Sequence, residues 1–152
     1  MKKIMLLDIE VNNTTHSPVE DVFFVRVIES TIMATGYNFL QEKNISISVA
    51  LVSELEMQKL NRENRHKDSV TDILSFFEYE AIEELQADAA EEIFLGELIL
   101  CYDDIKKYAQ AENIPLQQEL ANVTAHGVLH LLGFAHGETM FSLQKKVISE
   151  IE

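Results

Sequence analysis

The apolar run from Pro115 to Gly133 carries two histidines four residues apart, His126 and His130. A third, His136, follows three residues beyond the closing glycine. On a helix, positions four apart stack on one face with Cβ atoms about 6 Å apart. Gly133 ends such a helix, because glycine takes the left-handed terminating conformation without steric cost. The chain can then turn back and deliver His136 toward the same point. A helix this apolar is buried almost all round, so the fold must wrap around it and leave the histidine face open to a cleft. Three neutral imidazoles converging on one point, with a fourth position left for water, describe a catalytic zinc site rather than a structural one. A lone histidine there would read as an ordinary core residue; three at this spacing do not. His16, in a polar turn, and His66, in a basic loop, read as solvated.

The spacing repeats that of the long zinc-protease pattern H-E-x-x-H-x-x-G-x-x-H, with one change. The glutamate after the first histidine, which takes a proton from water in the proteases, is Gly127 here. The ligand spacing survives while the peptidase base is lost.

The rest of the chain reads in a simple order. Residues 3–11 form a strand. Ser17-Pro18-Val-Glu20 reads as a capping box with proline at the first helical position, opening a helix to about Thr35 that Gly36 closes. Residues 44–52 alternate apolar and small polar side chains, a strand pattern. Ser53-Glu-Leu-Glu56 is a second capping box and starts a helix to about Asn64. Ile73–Phe77 is a short strand. Residues 78–92 are an acidic loop with a turn of helix from Ala81 to Ala87, and Ile93–Leu100 is a strong strand. Asp103 or Asp104 caps a helix to about Glu112, Pro115 opens the histidine helix, and a last helix runs from Glu138. The pattern implies an α+β fold with a mixed sheet of about four strands and helices packed on it. Residues 1–152 form one domain, large enough to bury roughly two-thirds of its unfolded surface.

The single cysteine, Cys101, ends an apolar run and reads as a buried strand residue, not a ligand. The N-terminal apolar stretch is short and interrupted by Asp8, unlike a signal peptide, and no run approaches a membrane span. The expected location is the cytoplasm. A net charge of −14 argues against nucleic acid as a partner, since phosphates are repelled by an acidic surface. Its distribution weakens that objection. Residues 78–92 hold seven carboxylates and no Lys or Arg, whereas Lys59, Arg62, Arg65 and Lys67 lie within nine residues. The plainer reading of that patch is a solvated helix end, where cations favour the dipole; the other is phosphate binding.

The stretch Thr124-Ala-His126-Gly-Val-Leu-His130-Leu-Leu-Gly133-Phe-Ala-His136 resembles the signature of the YbeY family of bacterial endoribonucleases and rRNA maturation factors. Two further blocks, Asn61–Phe76 and Leu95–Cys101, resemble the same family and follow in its order. Ala135 stands where the family usually has Asp, Asn64 where it has Tyr, and Gly-Glu-Thr-Met-Phe replaces an acidic run after His136.

The resemblance implies a zincin-like arrangement, a mixed sheet around a central buried helix carrying two metal ligands. It implies one Zn2+ held by His126, His130, His136 and a water. The activity implied is single-strand-specific, zinc-dependent endoribonuclease action in 16S rRNA 3′ end maturation and ribosome quality control. The implied partners are ribosomal RNA and the small ribosomal subunit, with a ribosome-associated GTPase or ribosomal protein, and no membrane. Cleaving a phosphodiester builds charge on phosphate oxygens, which a guanidinium meets with two donors. Arg65 is the catalytic candidate and matches the arginine of the family's second block; Arg62 and Lys67 beside it are the RNA-binding candidates. Glu97 and Asp68 are possible bases, with a structural role the plainer reading of each. Two other functions remain open: a zinc hydrolase with a non-RNA substrate, against which the basic patch counts, and a ribosome-assembly RNA-binding factor whose metal is not catalytic. The open fourth coordination position counts against the second, since structural zinc is normally closed by four protein ligands.

Overall fold

The computed structural model describes residues 6–151. Its elements are β1 (Leu6–Asn13), α1 (Asp21–Ala34), β2 (Asn44–Leu51), α2 (Glu54–Arg65), β3 (Ile73–Phe77), α3 (Ile82–Ala87), β4 (Glu92–Leu100), α4 (Tyr102–Ala111), α5 (Leu116–Leu131) and α6 (Glu138–Ile151). The expected α+β fold with a four-stranded mixed sheet is what forms. Strand order is β1-β2-β4-β3. The first two pairings are parallel and β3 pairs antiparallel with β4, which leaves β3 at an edge.

The alternation in β2 does what its period of two requires. Ile45, Ile47, Val49 and Leu51 are buried on one face with Phe24, Ile28, Leu95, Leu98 and Leu100. The opposite face is covered by α2, whose Met57 packs with Leu74, Ile99 and Cys101. Cys101 lies one residue past β4 and is buried, and burial pushes its thiol pKa up, as for an inert packing residue. Among the described residues no helix is long and apolar enough to cross a membrane.

Helix α5 is the centre, contacting α1, α4, α6, β3 and β4. From Gln118 onward its half-buried positions are 118, 122, 126 and 130, one every four residues, and the positions between them are buried. That single open stripe is the histidine face. The approach of α5 to the sheet depends on two glycines. A Cβ at Gly127 would come within 2.6 Å of Ile73 Cδ1 and 2.8 Å of Leu98 Cδ2. A Cβ at Gly96 would run into the Phe76 carbonyl oxygen and come within 2.9 Å of Leu131 Cδ2 on α5, and φ there is +144°. Gly96 sits beside a register shift between β2 and β4 at Ser46/Ile47.

Four boundaries differ from expectation. Ser17 opens no helix. The Asn13 side chain accepts from Ser17 N at 2.9 Å and donates to Ser17 O at 2.8 Å, which closes residues 13–17 into a turn. Helix α1 therefore begins at Asp21, with Glu20 at its cap. Helix α4 is capped by Cys101; Asp103 and Asp104 fall inside its first turn, where they favour the dipole without capping. A 3-10 turn at Asn38–Glu42 had no periodic signal. Arg65 belongs to helix α2, not to a connecting loop. The helix runs on to Arg65 and ends there, where His66 takes the left-handed conformation (φ 59°) and donates its N–H to Arg62 O at 3.1 Å. His16 and His66 are both exposed, as expected. The first part of the expected strand, residues 3–5, lies outside the described residues.

Gly96→Ala should lower stability by about 3 kcal/mol or more, from overpacking added to backbone strain. Gly36→Ala is the control, because Gly36 has φ +73° but open space around it. It should cost about 1–2 kcal/mol. Urea midpoints check both, and an equal loss in the two variants would contradict the packing role of Gly96.

Candidate metal centre

The last turn of α5 and the loop after it build the site. Helix α5 ends as Gly133 adopts φ +90° and donates its N–H to His130 O at 3.0 Å. The chain reverses there, and His136 comes back over the helix end. His126 Nε2 lies 3.0 Å from His130 Nε2 and 3.1 Å from His136 Nε2. One nitrogen from each of the three rings lies within 4.8 Å of the others, so the group could hold a metal ion.

The neighbours decide which nitrogens are free. His130 Nδ1 lies 3.1 Å from the Phe134 carbonyl oxygen, which can only accept. The Nδ1–H therefore donates, and Nε2 is left with a lone pair. His126 Nδ1 lies 3.4 Å from Gln144 Oε1. Gln144 is turned that way because its Nε2 donates to Asn122 Oδ1 at 2.9 Å and toward Asn122 O at 3.4 Å. So His126 Nε2 also carries a lone pair. Two lone pairs facing each other at 3.0 Å repel unless a cation or a proton lies between them. Burial is the first cause holding both His126 and His130 below the usual imidazole pKa, which disfavours the proton. Ligands about 2.0–2.1 Å from a zinc ion stand roughly 3.4 Å apart in a tetrahedron. The observed spacing is near that, and the donor set fits the metal. Outer partners such as Gln144 and the Phe134 carbonyl fix ring orientation in metal sites.

The histidines open into a cavity of about 290 Å³. Arg65 lines it from the end of α2, and its charge contributes to lowering the pKa of His130. Arg62 is not brought here; it bridges Asp68 at 3.2 Å and lines a separate cavity. Lys67 is exposed and lines neither. Asp68 is held by Arg62 and by Gln58, and Glu97 sits mid-strand in β4 opposite Ser48, so neither candidate base reaches this cavity. Two other carboxylates do: Asp72 and Glu119. Asp72 accepts from Ile73 N at 2.7 Å. Glu119 is 8% exposed, and burial raises its carboxyl pKa. Glu119 and Asn122 lie seven and four residues before His126, so helical periodicity alone would have put them on the ligand face. Gln144 arrives from α6 by tertiary packing, and no local pattern points to it.

Gly127 faces the sheet. A Cβ there would meet Ile73, Leu98 and the Ser75 Oγ. The glutamate of the protease pattern is absent because α5 packs where its side chain would start.

His130→Ala should abolish metal binding, read as metal content per chain near zero. Gln144→Leu should retain the site but weaken affinity roughly 10–100-fold, because the His126 ring loses its orienting partner. Affinity should fall as pH drops below the ordinary imidazole value of 6.5, since a protonated ring cannot ligate. The sign for the metal-free fold follows from the lowered pKa values. The unfolded imidazoles bind protons near 6.5 that the folded site refuses, so metal-free protein should lose stability as pH falls below that value. Full metal content in His130→Ala would remove these residues as ligands.

Comparison with known proteins supports one family throughout. The family model described as Endoribonuclease YbeY matches residues 9–152. Endoribonuclease YbeY of Caldicellulosiruptor bescii is 35% identical over 136 residues, covering 87% of this chain and 84% of that protein. Endoribonuclease YbeY of Borreliella afzelii is 35% identical over 111 residues, covering 73% and 72%. The solution structure of a Thermotoga maritima protein is similar with a TM-score of 0.63 at 26% identity, covering 96% of this chain and 89% of that one. The family model runs from within β1 to the end of α6 and spans every position that lines the histidine cavity, and so the chain belongs to the endoribonuclease YbeY family.

Proposed function

We propose that this protein is a zinc-dependent endoribonuclease that cuts single-stranded RNA. Its substrate is the 3′ end of 16S rRNA on the small ribosomal subunit in the cytoplasm, where it serves maturation and quality control. A ribosome-associated GTPase or a ribosomal protein would bring it there. The observation that carries this reading is the shared cavity: three histidine nitrogens and the Arg65 guanidinium line one opening, and the relatives that match most of the chain are named endoribonucleases.

His126, His130 and His136 would hold the zinc. When bound it supplies Lewis acidity toward a phosphoryl oxygen and a source of hydroxide near neutral pH. The remaining work falls to the chain. Arg65 lines the same cavity from the end of α2, so a phosphodiester held there would meet both the histidines and its guanidinium. Its fork can hold two phosphate oxygens as charge builds on them. Asp72 and Glu119 are the carboxylates in reach of a proton there. Glu119, with its raised pKa, suits proton exchange nearer neutrality than an ordinary carboxylate. Arg62 and Lys67, exposed near the same helix end, would contact phosphates further along the strand. A peptidase reading is disfavoured by Gly127, which turns to the sheet and leaves the protease base without a starting point.

Arg65→Ala should keep its metal and its melting temperature and lose about 10²–10³ in RNA cleavage rate. Arg65→Lys should recover only part of this, because an ammonium cannot make the bidentate contact. The measurement is single-turnover cleavage of an rRNA fragment, beside metal content and a thermal melt. Wild-type cleavage by Arg65→Ala would return Arg65 to a solvated helix end.

A further inference from the structure

Edge strand β3 runs along the metal cavity, and its period of two puts Ile73, Ser75 and Phe77 on one face. The three differ in depth. Ile73 is buried beneath α5, Ser75 is half-buried in the cavity wall, and Phe77 is 54% exposed at the mouth. Phe77 lines a second recess of about 240 Å³. That recess shares Arg65, Ser75, His130 and His136 with the metal cavity, so the two openings adjoin. A large apolar ring left in water beside a polar site is the informative kind of exposure. Among the described residues Phe77 has no aromatic partner, whereas Phe134 in the same recess packs its ring against Tyr37. Glu80 also lines the recess. A carboxylate there repels a phosphate but accepts from an exocyclic amine of a base.

We infer that Phe77 is a stacking platform for the nucleobase next to the scissile phosphate, with Glu80 at that base's edge. The inference rests on the reading of the site as RNA-cleaving. A phosphate held by the histidines and Arg65 places the adjoining nucleotide in one of the two openings that share those residues. Only the recess bearing Phe77 offers a free aromatic face. Single-stranded bases stack on such rings regardless of sequence. Phe77 is thus a binding and positioning residue, not a catalytic one.

The test uses the zinc-loaded full chain and short single-stranded RNAs from the cleaved region, with an abasic ribose placed in turn at each nucleotide flanking the cut. Phe77→Ala should raise KM roughly 5–150-fold on intact RNA, the range expected for one lost stack. It should leave kcat, metal content and the melting temperature close to wild type, because the side chain is exposed. Phe77→Tyr should rescue KM and Phe77→Leu should not. On the RNA that lacks the stacked base, Phe77→Ala should lose nothing further. A wild-type protein that cleaves no RNA removes the functional reading and this inference with it. A wild type that cleaves while Phe77→Ala matches its KM within about twofold removes the stacking inference alone. So does full rescue by Phe77→Leu, which would mark an apolar contact instead of a π face.

Discussion

The close seat of α5 on the sheet is the constraint from which the site follows. Gly127 leaves room for Ile73 and Leu98, and Gly96 leaves room for Leu131. With those two side chains absent, the helix lies against β3 and β4, and its open stripe and the edge strand line one cavity. Overpacking a close-packed interior forces neighbours to move. A helix lifted off the sheet would carry His126 and His130 away from Ser75 and from the end of α2. The substitution that separates this chain from the protease pattern is thus tied to the packing that builds its cavity.

Around the ligands, neutral hydrogen bonds do the positioning. The Asn122–Gln144–His126 relay and the Phe134 carbonyl set two tautomers without placing a carboxylate on either ring. Ala135, beside the third ligand, adds none. Asp72 and Glu119 stand on the cavity wall, free of direct bonds to the imidazoles among the described contacts. This fits an anionic substrate better than a ring of ligand-bound carboxylates would. The net charge of −14 is concentrated elsewhere, much of it on 78–92, where Asp88 accepts from Tyr79 and raises the Tyr79 pKa to about 12. Arg65 is the local counterweight, and a cation held by the three histidines would add to it. Electrostatic attraction of RNA should depend on the metal more than on the protein surface.

The three-histidine cluster is readable because helical spacing, a left-handed glycine and a short return are local rules. So were the strands, where alternation and β-branched runs agree with burial in β2 and β4. Errors came where a side chain had two local options. Ser17 bonds within the Asn13 turn in preference to a helix end, and α2 takes in Arg65 because the left-handed residue that ends it is His66. The cavity wall was harder. Glu119 and Asn122 follow from period alone, but Asp72 and Ser75 need the sheet order that puts β3 at the edge beside α5. Gln144 needs α6 to dock on α5, which no short window of sequence encodes.

If the three-histidine centre cuts RNA, cleavage must need both the metal and the histidines. The direct measurement is cleavage of a small-subunit rRNA fragment by purified protein, with and without chelator. A variant with His126, His130 and His136 all replaced by Ala, purified identically, controls for contaminating nuclease. Cutting should fall at discrete single-stranded positions, be lost with chelator, be restored by zinc, and be absent from the triple variant. Equal cutting by the triple variant, or none by the zinc-loaded wild type, would contradict RNA cleavage by this centre.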